Sequence, residues 1–79
     1  MKIAITLIYY KAVKPSFFIV EMSLENWRMF LHGSQRVRQD MIVPKVAPSV
    51  EGSVRELVWI PLDDQNKLQI IDENNIIKI

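Results

Sequence analysis

The sequence predicts a small α+β protein: a mainly antiparallel or mixed sheet of four to six strands with one short helix. Three observations carry that expectation. Several stretches rich in β-branched and aromatic residues alternate between two faces. One stretch, residues 24–32, has helical spacing between a serine and a glycine. The chain has 79 residues, of which 49% are hydrophobic and 24% charged. That is too apolar for a disordered tail and too short for more than one domain, here taken as residues 1–79.

Residues 2–10 read as the first strand, with Ile3, Ile5, Leu7 and Tyr9 on one face and Ala4, Thr6, Ile8 and Tyr10 on the other. A loop follows to Pro15, because proline biases the residue before it away from helix. Residues 16–22 form a second strand, with Phe17 and Ile19 opposite Phe18 and Val20; the short gap predicts a hairpin. Ser23 then offers a hydroxyl to the free N–H groups of a first helical turn, and Glu25 places negative charge where the helix dipole favours it. Leu24, Trp27, Phe30 and Leu31 span an arc of about 120°, a core-facing stripe. Gly33 is expected to stop this helix in the left-handed conformation.

Residues 35–43 alternate at first, with Arg36 and Arg38 opposite Val37, and run into Met41-Ile42-Val43 before Pro44. This predicts an edge strand. A loop over residues 45–53 leads to a strand at 54–60, ended by Pro61, with Val54, Val58 and Ile60 opposite Leu57 and Trp59. A turn at 63–66 and a hairpin between 67–71 and 76–79 close the chain.

The resulting order, β-β-α-β-β-β, is β-grasp-like; a small, partly closed β-barrel with a short helix is the alternative. Doubled apolar pairs at Tyr9-Tyr10, Phe17-Phe18, Ile70-Ile71 and Ile76-Ile77 put apolar side chains on both faces of the sheet. A nine-residue helix is only about 14 Å long and covers one face at most. The surplus predicts a partner-facing surface, with Phe17, Phe18, Met29, Trp59, Ile71 and Ile77 as its candidates, and a homodimer as its simplest form.

Chemistry-bearing residues are few. With no cysteine and one histidine, disulfides, thiolate nucleophiles and Cys- or two-His metal sites are excluded. His32 reads as a solvated residue balancing a helix C-terminus. The acidic pairs Asp63-Asp64 and Asp72-Glu73 fall in turns, where carboxylates bond their own backbone. No catalytic residue, metal or cofactor is expected. No apolar run approaches the roughly 20 residues that a spanning helix needs, and no export signal is apparent, so the expectation is a cytoplasmic protein without a membrane partner.

Net charge is +1. Residues 1–45 hold seven basic and three acidic residues, and residues 46–79 three basic and six acidic, so the halves carry +4 and −3. Lys11, Lys14, Arg36, Arg38 and Lys45 are the candidate phosphate-binding patch of a nucleic-acid-binding accessory protein. The preferred expectation is a non-enzymatic protein–protein interaction module, such as an inhibitor or adaptor docking on a larger assembly. Small phage-type anti-defence proteins share this profile by size and poverty of motifs alone.

Overall fold

The computed structural model describes residues 1–47, 53–62 and 75–79. Their elements run β1 (Lys2–Tyr9), β2 (Ser16–Glu21), α1 (Leu24–His32), α2 (Gln35–Val46), β3 (Val54–Leu62) and β4 (Ile76–Lys78). The four strands form one open, mixed sheet in the order β3-β1-β2-β4. β1 is antiparallel to both neighbours, whereas β4 lies parallel to β2. β3 and β4 stand at opposite ends of this order, so the sheet does not close and the partly closed barrel is set aside.

The β1–β2 hairpin forms as expected, with Ile3 opposite Val20 and Ile5 opposite Phe18. Tyr9 donates its hydroxyl to Ser16 Oγ at 2.9 Å across the hairpin mouth. Helix α1 has the expected bounds, and Ser23 Oγ accepts from Asn26 N–H at 3.1 Å. Its inward side is centred on Phe30, which is fully buried; Leu24 and Leu31 are exposed rather than part of the core stripe.

Gly33 departs from expectation. Its φ is −80°, an ordinary extended value. Glycine stands there for space: a Cβ would lie 2.9 Å from the Met29 carbonyl oxygen and 2.9 Å from Val37 Cγ1. The chain passes there directly into a second helix, opened by Ser34 Oγ accepting from Val37 N–H at 3.2 Å.

That second helix, α2, replaces the expected edge strand over 35–43 and changes the order to β-β-α-α-β-β among the described residues. The one-helix, β-grasp-like order is corrected accordingly. Pro44 lies within the last turn of α2 instead of ending a strand. There its missing N–H removes a single helical bond, and the helix resumes with Ala47 N–H donating to Val43.

Strand β3 likewise continues through Pro61 to Leu62. It is an edge strand; the Leu57 N–H points away from β1, and Pro61, four residues on, falls in the same backbone alternation, so its lack of an N–H breaks no bond to β1. Near its start, Ile8 pairs with Glu56 and Tyr9 with Val54, which leaves Arg55 as the extra residue of a bulge. The bulge reverses the alternation, so Val54 joins Leu57 in the core rather than Val58 and Ile60. The expected turn at 63–66, the hairpin arm at 67–71 and both acidic pairs lie outside the described residues.

The core is one cluster beneath the two helices: Ile3, Ile5 and Leu7 from β1, Val20 from β2 and Met22 just after it, Phe30 from α1, Ile42 and Val43 from α2, Val54 and Leu57 from β3. Every fully buried residue among those described is apolar.

Gly33→Ala relieves some chain entropy but forces the α1–α2 junction apart. We expect a net loss of about 1–2 kcal/mol, read as a lower urea midpoint with an unchanged slope.

Candidate functional site

The two helices occupy one side of the sheet, and the site of interest is the other side. Residues that alternate with the core positions point there. The pairing register aligns them in rows across the strands. Ile60, Ala4, Ile19 and Ile76 make one row through β3, β1, β2 and β4. Val58, Thr6 and Phe17 make a second beside it. Phe17 is 72% exposed, Ile60 56% and Val58 43%. A third row, Leu62, Lys2, Glu21 and Lys78, borders the apolar pair with charges of alternating sign. Among the described residues, the result is an apolar face with one charged rim.

Bulk is unevenly spread on this face. At its centre β1 supplies the small Ala4 and Thr6, and β2 supplies the large Ile19 and Phe17. A shallow trough therefore lies over Ala4 and Thr6, between Lys2 and Ile8 on the same face of β1, with a ridge beside it on β2.

The six expected interface residues do not gather on one surface. Phe17 lies on the open face. Phe18, Trp59 and Ile77 share the opposite parity and pack, partly buried, against the core. Met29 is exposed on α1, in the helical layer. Ile71 lies outside the described residues. Composition and doubled pairs located the surplus but not its side; Ile60, Val58, Ile19 and Ile76 emerge only from the register.

Trp59 belongs to a second constellation. Its ring centroid lies 5.5 Å from that of Trp27 and 5.3 Å from that of Phe30, both edge-on. The Arg38 guanidinium sits 5.1 Å from the Trp59 centroid and 5.4 Å from that of Phe30. The same guanidinium donates to the carbonyls of Phe30 at 2.8 Å and Leu31 at 2.9 Å. These carbonyls lie in the last turn of α1, at the negative end of its dipole; that of Phe30 also accepts from the Gly33 N–H at 3.2 Å. Arg38 therefore serves as a fold contact joining α1, α2 and β3.

Gln35 does comparable work at the sheet edge. Its side-chain amide donates to the Leu57 carbonyl at 2.7 Å and accepts from the Leu57 N–H at 3.0 Å. The amide stands in for a neighbouring strand at that point.

The expected basic patch is not assembled as a strand face. On a helix, Arg36 and Arg38 point about 200° apart. Arg36 is solvent-exposed, 3.9 Å from Asp40. Lys45 lies in the last turn of α2, about 14 Å along the helix from Arg36, while Lys11 and Lys14 are exposed in the β1–β2 loop. Among the described residues no group of three acidic, histidine or cysteine side chains is placed to hold a metal ion, and no helix is long and apolar enough to cross a membrane.

Arg38→Lys keeps the charge but loses the planar fork over two rings and two carbonyls. We expect it to destabilise by about 1–3 kcal/mol in chemical denaturation, while Arg36→Lys changes stability by less than about 0.5 kcal/mol. Gln35→Glu sets a carboxylate against the Leu57 carbonyl, and we expect a comparable loss of about 1–3 kcal/mol.

The chain matches no protein-family model, no curated protein and no solved structure.

Proposed function

We propose that the chain is a non-enzymatic protein–protein interaction module that meets its partner through the open face of the sheet. One observation carries this reading: two adjoining rows of mainly apolar side chains cross the strands on the side away from both helices, with Phe17 and Ile60 more than half exposed. Contiguous apolar surface of this kind, rimmed by charge, is characteristic of contact surfaces. It suits an inhibitor or adaptor docking flat on a larger assembly, the profile of a phage-type anti-defence protein.

The alternative, a nucleic-acid-binding accessory protein, draws less support from the geometry. It needs Arg36 and Arg38 together, and the Arg38 guanidinium is engaged by α1 and Trp59.

Affinity capture from cells expressing the tagged chain separates the two. We expect proteins retained by the wild type to be lost with Phe17→Lys plus Ile60→Lys, kept with Arg36→Ala plus Lys45→Ala, and indifferent to nuclease. Capture that survives the face substitutions, or that vanishes on nuclease treatment, overturns the reading.

A further inference from the structure

We propose that the open face of the sheet pairs with the open face of a second copy of this chain, about a two-fold axis that lies between β1 and β2, within about 15° of the strand direction. The inference rests on reading this face as a protein-contact surface, and it names what occupies that face when no larger assembly is bound.

The face is complementary to itself under that one operation. Turning the sheet over about such an axis lays β1 on the partner's β2 and β2 on the partner's β1, row upon row. Small Ala4 then faces large Ile19, and Thr6 faces Phe17, so each ridge enters the other copy's trough. Ile60 on β3 falls over Ile76 on β4, extending apolar contact to the sheet's edges. On the rim, Lys2 falls over Glu21 and Glu21 over Lys2, giving two opposite-charge contacts, while Leu62 falls over the aliphatic stem of Lys78 at the sheet's edges. A two-fold contact uses each of these pairings twice.

Sheets packed face to face lie about 10 Å apart and cross at roughly 30° because each is twisted. Residues beside the axis keep their pairing under that rotation, and the rim is within reach of the long lysine stem. Four strands about 4.8 Å apart, with three rows about 6.8 Å apart along them, give a face of roughly 19 by 20 Å. That is about 380 Å² in plan on each copy, below the roughly 800 Å² a side of a standard specific interface and in the range of weak, transient ones. The dimer is therefore expected to dissociate in the micromolar range or more weakly.

Sedimentation velocity over a concentration series up to about 1 mM tests the proposal, with circular dichroism confirming that each variant is folded. The wild type should show a reversible monomer–dimer equilibrium, and Ile60→Lys or Phe17→Lys should weaken it at least tenfold. Lys2→Glu and Glu21→Lys should each weaken self-association as well. An equimolar mixture of those two should restore it. The first variant carries carboxylates at both rim positions and the second carries ammonium groups at both, so each rim contact between them joins opposite charges. Restoration on mixing reports an intermolecular contact, which repair of the Lys2–Glu21 pair within one chain cannot imitate. A strict monomer, association beyond dimers, a dimer indifferent to the face substitutions, or a mixture no tighter than its components overturns the proposal. A strict monomer whose open face still captures another protein overturns the second copy alone and leaves the interaction module standing.

Discussion

Three elements meet on the guanidinium of Arg38. From α2 it donates to the last carbonyls of α1 and lies against the rings of Phe30 and Trp59, so it fixes α1, α2 and β3 together. The contact answers a particular difficulty. A helix that ends against its successor, with only Gly33 and Ser34 between them, leaves last-turn carbonyls short of helical donors. A cation with two donors in one plane satisfies two of them, and its flat faces pack on aromatic rings. Gln35 meets the equivalent need at the sheet edge, where the Leu57 peptide would otherwise present an unpaired donor and acceptor.

These polar contacts hold the helices over one side of the sheet. Two short helices held side by side make a single layer, and that layer lies over Ile3, Ile5, Leu7 and Leu57. The chain has only enough helix among its described residues to shield one face, while its strands carry apolar side chains on both. The open face follows from this imbalance between layers.

Much of the fold was legible in the sequence. The β1–β2 hairpin, the bounds of α1 and its Ser23 cap followed from alternation and capping chemistry, both of which are local. Helix α2 was missed for a physical reason. Its inward residues in the first two turns are Gln35 and Arg38, which bond to backbone, so the apolar stripe that betrays a helix is absent until Ile42 and Val43. Proline at 44 and the alternation of arginine with valine then imitated an edge strand. The existence of the surplus apolar surface was legible too, from the doubled pairs. Its membership was not, because which residue of each pair faces the helices depends on strand order and on the bulge at Arg55. Neither is written in local periodicity.

The parallel pairing of β4 with β2 bears on the order in which the chain assembles. β1 and β2 are neighbours in sequence, and their hairpin can close early, whereas Ile76 must find Ile19 across most of the chain. Until it does, Ile77 and Ile79 are missing from beside the core and the outer edge of β2 stands bare. A nascent or partly folded chain therefore passes through a stage in which an unprotected strand edge and an apolar face are exposed together, the combination most prone to aggregation. Slow closure of the last strand, rather than weakness of the finished core, is where this small protein is most vulnerable.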